Sequence, residues 1–177
     1  GKNINLNCGS TNTDLLKKTV IEKSADIGIA LDGDADRMIV VDEKGKEVDG
    51  NLLFASIIKN LSDRDMIGNK SVASTIMANF ALEKYLSSIG INLIRTNVGD
   101  RHLVKSMREN DLLIGGEPSG HIVMRNFGTT GDGLIASLQV LSMMSYEDRP
   151  ISELTDLFEP YPQKNISVPI KNKNPLN

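Results

Sequence analysis

The sequence predicts an α/β protein: a three-layer α/β/α domain with a mixed, mostly parallel sheet, preceded by part of a similar domain. Three observations lead there. From Ser71 onward, short apolar segments alternate with helical segments, the pattern of strands joined by crossover helices. Before them, 50–63 reads as a helix with Leu52, Leu53, Ile57, Ile58 and Leu61 on one face. The first 49 residues hold one helix and one hairpin, too little for a core of their own. The expected organisation is therefore 1–49 as the C-terminal part of one domain and 50–162 as a second. The remainder, 163–177, is Pro-, Asn- and Lys-rich and reads as a linker toward a further C-terminal domain.

Taken in order, 3–13 is polar and reads as a loop, with its single cysteine, Cys8, as a small buried residue. Asp14 to Lys23 is a helix capped by Thr13, carrying Leu15, Leu16, Val20 and Ile21 at helical spacing. Asp26 to Leu31 and Arg37 to Asp42 are β-branched strands. Residues 43–46 make a turn, and Glu47-Val48 pairs back. Then come a strand at 71–77, a helix at 80–88, a strand at 92–96 and a helix at 100–108. Strands at 112–115 and 121–124 and a long helix at 132–146 complete the pattern.

Composition narrows the functional classes. Of 177 residues, 40% are hydrophobic, enough for a real core, and no apolar run has the length of a membrane span. A net charge of −3 argues against broad nucleic-acid binding, and 4% aromatic content removes the stacking platforms of single-strand binders. One cysteine allows no internal disulfide and suits a reducing cytoplasm.

Chemistry concentrates in Asp32-Gly33-Asp34-Ala35-Asp36-Arg37, between the first two strands. Alternate residues of an extended segment point the same way, so the three carboxylates are expected to converge. Like charges so placed repel, and a divalent cation with a taste for hard oxygen ligands, such as Mg²⁺, relieves them. Arg37 sets a fork of donors beside them, suited to a phosphate or a sugar hydroxyl. The same residues also fit positions one, three and five of a calcium EF-hand loop, with Glu43 at position twelve. Arg37 then stands where the sharp turn needs Gly, and strands flank the loop where helices belong.

Two further stretches are candidates. Gly115-Gly116-Glu117-Pro118-Ser119-Gly120-His121 follows a strand, and Glu117 and Ser119 offer the acceptors and donor that suit neighbouring sugar hydroxyls. His121 is a candidate to move a proton. A tight turn with incidental Glu and His reads equally well. Thr96-Asn97-Val98-Gly99-Asp100-Arg101-His102 opens a helix, where backbone N–H groups and Arg101 suit an anion. Thr130 and Asp132 read simply as helix caps.

In this order the acidic loop, the VGDRH stretch, the GGEPSGH loop and TTGDG resemble the motifs of the α-D-phosphohexomutase family, as do NINLNCGST and STIMANFALE. The resemblance covers nearly the whole chain. It implies a four-domain cytoplasmic enzyme that interconverts glucosamine 6-phosphate and glucosamine 1-phosphate through a phosphoserine and a bisphosphorylated sugar, serving amino-sugar and cell-wall precursor synthesis. Carried over, Asp32, Asp34 and Asp36 hold one Mg²⁺, and Arg37 and His121 are catalytic. Glu117, Ser119, Gly120, Arg101 and Gly99 bind substrate. The implied partners are the phosphosugar and the remaining domains of the enzyme, with a homodimer left open. Two departures qualify it: neither the family's Ser-His phosphoserine loop nor its C-terminal phosphate-gripping loop is present, so the chain alone is expected to be inactive. His102 stands where Tyr is frequent. A phosphomannomutase or phosphoglucomutase, and a non-catalytic metal or phosphosugar-binding module, are the alternatives.

Overall fold

The computed structural model describes residues 2–164 and 166; most of the expected linker lies outside the described residues. Helix α1 (Asp14–Lys23) forms where its spacing predicts and ends at Ser24 in the left-handed conformation. Thr13 occupies the N-cap position without capping, because its hydroxyl donates to Glu47 Oε2 at 2.6 Å. Asn12 serves the first turn instead, accepting from Asp14 N. Of the predicted apolar face, Val20 is buried, whereas Leu15 and Ile21 are more than half exposed. Cys8 is exposed too, contrary to expectation, because the loop around it lies outside the core.

Strands β1 (Ile27–Leu31) and β2 (Met38–Asp42) form an antiparallel hairpin, with Ile27 opposite Asp42 and Leu31 opposite Met38. Val48 N donates to Val40 O at 2.9 Å, so the chain does fold back along β2.

The second unit opens with helix α2 (Gly50–Asp63), capped by Asp49, whose carboxylate accepts from Asn51 N and Leu52 N. It is followed by β3 (Ser71–Thr75), α3 (Phe80–Ser88), β4 (Asn92–Thr96), α4 (Asp100–Glu109), β5 (Ile114–Gly116) and β6 (Ile122–Met124). Helices α5 (Gly133–Glu147) and α6 (Ile151–Leu154) complete it. The sheet order is β4-β3-β5-β6, parallel across β3–β4 and β3–β5 and antiparallel across β5–β6. Two strands differ from expectation. β3 stops at Thr75, where the backbone turns, and β5 runs from Ile114, because Leu112 belongs to the turn leaving α4.

Period-two burial explains the three layers. Val72, Ile114, Ile122 and Met124 face α2, α3 and α5 in the main core, where Phe54, Ile57, Ile58, Leu82, Leu86 and Val140 meet. Ala73 and Val123 face the other way, against Leu103 and Met107 of α4. Connections from β3 and β4 thus leave to opposite faces of the sheet.

Met38 and Val40 of the hairpin enter the main core, so the two units share it. A second link is polar. Glu43, at the end of the hairpin, accepts from Ser152 N at 3.3 Å and from the Ser152 hydroxyl, at the start of α6. Burial alone would raise the Glu43 carboxyl, but the Ser152 side chain, two backbone N–H groups and Lys44 outweigh it and hold it below its ordinary value. A carboxylate lowered by folding stabilises the protein above its ordinary value near 4.5 and loses that contribution as the pH falls through the lowered one. Glu43→Gln is expected to cost about 1 kcal/mol at pH 7. Denaturant titrations of the two proteins should converge as the pH is taken below 4.5.

Candidate functional site

The acidic loop turns back on itself. Asp32 O accepts from Ala35 N at 3.2 Å, Ala35 adopts φ +60°, and Asp32 Oδ1 accepts from Arg37 N at 3.2 Å. The three carboxylates do converge, each offering an oxygen within 4.8 Å of the others. A curled loop brings them together, however, and not the alternation of an extended strand. Arg37 Nε lies 3.8 Å from Asp36 and 4.0 Å from Asp32. Asp36 is pushed above the ordinary carboxylate range, first by burial, then by its hydrogen bond with Asp32 and the charges of Asp32 and Asp34, against the pull of His121. Such crowding is what a hard divalent cation would relieve, so the donor set fits Mg²⁺. Glu43 is engaged by Ser152, and strands flank the acidic loop where helices belong, which removes the EF-hand reading.

This loop is seated on the second unit through His121. The imidazole is 3% exposed; Nδ1 lies 3.1 Å from Asp36 Oδ2 and Nε2 lies 2.8 Å from Asp100 Oδ1. Thr130 Oγ1 donates to the other oxygen of Asp100 at 3.3 Å. A Cβ at position 131 would stand 2.3 Å from the ring, so Gly131 is what lets TTGDG close over it. Arg37 and His121 form a backbone bridge, and Met38 N donates to Gly120 O at 3.1 Å. Gly120 has φ +87°, and a Cβ there would stand 1.9 Å from Met38 O; any other residue would part the two strands. Asp132 accepts from Ile135 N at 2.9 Å, the plain cap expected of it.

A cleft of about 470 Å³ opens at the carboxyl ends of β3, β4 and β5, where ligands of open α/β sheets gather. Arg37, Asn51, Thr75, Met77, Val98, Glu117, Pro118, Ser119 and Gln163 line it. Glu117 accepts from Ser119 Oγ at 3.2 Å and from Gly99 N at 3.4 Å, so the helix opening at Gly99 already faces a carboxylate. Of the predicted residues, the structure brings Arg37, Glu117 and Ser119 together on this cleft. His121 lies behind it, buried between its two carboxylates. Arg101 and His102 are exposed on the first turn of α4 and do not line it. Sequence reasoning missed Asn51, Thr75, Met77 and Gln163. The STIMAN stretch that holds Thr75 and Met77 was the one signal available, and it carries no chemistry on its face.

Fold and site together define an α/β protein whose charged loop and polar cleft sit at the carboxyl ends of a mixed sheet. The chain belongs to the phosphoglucomutase/phosphomannomutase family. The family model for its alpha/beta/alpha domain III matches residues 49–161, and that for domain II matches 5–45. Among curated relatives, a phosphoglucosamine mutase of Parvibaculum lavamentivorans is 47% identical over 176 residues, and one of Bartonella tribocorum is 51% identical. Each alignment covers 99% of this chain but 39% of the relative's length. Two solved structures share the fold. A phosphoglucomutase/phosphomannomutase family protein from Burkholderia thailandensis has TM-score 0.73 and 22% identity, over 85% of this chain and 32% of the other. The Aspergillus fumigatus N-acetylphosphoglucosamine mutase in complex with GlcNAc-6P and magnesium has TM-score 0.67 and 18% identity, over 88% of this chain and 40% of the other. Among the described residues no helix is long and apolar enough to cross a membrane.

The His121 bridge is directly testable. His121→Phe keeps a ring over Gly131 but removes both bonds to carboxylates. It is expected to cost about 2 kcal/mol in urea unfolding, as for hydrogen bonds to charged groups that are partly solvated. Hydrogen exchange of the Ala35 and Arg37 amides should quicken. Unchanged stability and exchange would mean the loop is held without the imidazole.

Proposed function

We propose that this chain carries the metal loop and the sugar-recognition loop of a mutase that interconverts glucosamine 6-phosphate and glucosamine 1-phosphate. The observation that carries this is the meeting of Arg37, beside three crowded carboxylates, with Glu117 and Ser119 on one cleft. The choice of glucosamine rests on the curated relatives, named phosphoglucosamine mutase, that align with 99% of the chain. In this reading 1–49 and 50–162 belong to two successive domains. The phosphoserine that exchanges phosphate with the sugar lies elsewhere in the full-length polypeptide.

Each residue then has a task. Asp32, Asp34 and Asp36 would hold Mg²⁺, which when bound neutralises charge developing on a transferring phosphoryl group. Arg37, half exposed, stands where its guanidinium can hold a phosphate oxygen next to that charge. Glu117 and Ser119 grip adjacent sugar hydroxyls, and the Ser119–Glu117 bond pre-orients both. His121 is a positioning residue: it keeps Asp36 in register with the second unit and leaves proton transfer to other groups. Gly120 and Gly99 act through backbone, by close approach and by holding Glu117. The assignment of Arg101 to the substrate rests on its motif alone.

The full-length polypeptide, assayed with Mg²⁺ and a trace of sugar bisphosphate, should prefer glucosamine 6-phosphate to glucose 6-phosphate and mannose 6-phosphate in kcat/KM. Asp34→Asn, at the most exposed of the three carboxylates, should lower kcat by about a hundredfold or more, the scale for losing electrostatic stabilisation. The 177-residue chain alone should show no turnover. Equal or better rates with glucose or mannose phosphate would move the enzyme to a sister activity. No turnover by the full-length protein on any of the three would leave a binding module.

A further inference from the structure

We propose that the Thr75 hydroxyl, in the STIMAN stretch, is a sugar-contacting group on the floor of the cleft, a role that its motif alone does not assign. This rests on the phosphosugar reading above and adds a specificity-determining residue to it.

Thr75 is fully buried, and its Oγ1 is the one buried side-chain polar atom among the described residues without a hydrogen-bond partner. Its neighbours show that this is not a general looseness of the region. Ser74, next in the strand, donates to Gly116 O at 2.7 Å. Asn51 accepts from Asn79 N at 2.9 Å and donates to Asp49 at 3.0 Å. Asn79 in turn accepts from Ala81 N and Tyr161 N. A hydroxyl buried with no partner costs about 1–3 kcal/mol, and valine would fill the same space without that cost.

The position of the orphan gives it meaning. Thr75 is the last residue of β3 and pairs in register with Thr96, the last residue of β4. The connections that follow go to opposite faces of the sheet, α3 into the main core and α4 into the second. That divergence opens a crevice between neighbouring strands, the place where open α/β sheets bind ligands. Thr75 lines the resulting cleft with Arg37, Glu117 and Ser119. Its missing partner is therefore supplied by what enters: a hydroxyl or amino substituent of a hexose ring, directly or through one bridging water. Ionised Glu117 can only accept, whereas Thr75 can donate or accept, so the two complement each other across the ring.

The test uses Thr75→Val and Thr75→Ser in the full-length protein, with glucosamine 6-phosphate as the probe in calorimetric binding and steady-state assays. Thr75→Val should keep or raise the ligand-free Tm, since no bond is lost. It should weaken binding and lower kcat/KM by about tenfold, the scale of one hydrogen bond left unmade. Thr75→Ser should stay near wild type. With a series of mono-deoxy analogues, the penalty should vanish for the analogue lacking the contacted hydroxyl. Wild-type binding by Thr75→Val would overturn the proposal while leaving the mutase reading intact, as would a clear fall in its ligand-free Tm. A wild-type protein that binds no hexose phosphate would overturn both.

Discussion

A buried imidazole between two carboxylates holds this structure together at its functional end. A neutral ring donates from one nitrogen only, so His121 can satisfy both Asp36 and Asp100 in two ways. Either the ring is doubly protonated, or one of the two carboxyls carries a proton; of the two, Asp36 is the one raised, by burial and by its acidic neighbours. In both cases charge on the acidic loop is shared with Asp100 and His121, 64 and 85 residues from Asp36 in sequence, and through Asp100 with Thr130. Four motifs that look independent in the sequence are thus one network, and each fixes where the next can lie.

The electrostatics explain why such a network is needed. Three carboxylates within 4.8 Å oppose folding, and desolvation at Asp36 adds to the repulsion. Arg37 offsets part of this, but at 3.8–4.0 Å and half exposed it is a weak partner. The loop therefore depends on geometry imposed from outside: the backbone bridge to His121, the Met38–Gly120 bond, and Gly133 N donating to Ala35 O at 2.8 Å. The energy that holds the carboxylates together comes from the shared core beneath them, where Met38 and Val40 pack with α2 and α5. The strain is local and its support is global.

Much of this was legible in the sequence, and what was not has a physical reason. Helices 14–23, 50–63 and 80–88 and strand 92–96 were readable because their local apolar patterning is strong enough to set the element type without the tertiary context. The convergence of Asp32, Asp34 and Asp36 was foreseen through the wrong backbone, since an extended strand and a tight curl both bring alternate residues together. For His121 the sequence shows the chemistry of a candidate proton carrier but not its burial or its two carboxylate partners. Cys8 and Thr13 were misplaced for a related reason. Exposure and the choice between a helix N–H and Glu47 are decided by distant chain. Thr75 was invisible, because whether a hydroxyl in a β-branched strand has a partner is a purely tertiary fact.

The cleft has a division of labour that follows from its two origins. The hairpin contributes Arg37, with the acidic cluster beside it, while the sheet side contributes the hydroxyls of Thr75 and Ser119 and the carboxylate of Glu117. The phosphate and the ring of a sugar phosphate need such different surroundings, a dense field for one and directional hydrogen bonds for the other. On the proposed reading, recognition would therefore depend on the seam between the two halves. That seam is crossed in the core by Met38 and Val40, at one end by Glu43 and Ser152, and at the other by His121. Because Met38 and Val40 are part of the shared core, the position of Arg37 relative to Glu117 is fixed by the same packing that holds the two units together. On the proposed sugar-phosphate reading, selectivity would depend on the rigidity of this seam as well as on the side chains that line the cleft.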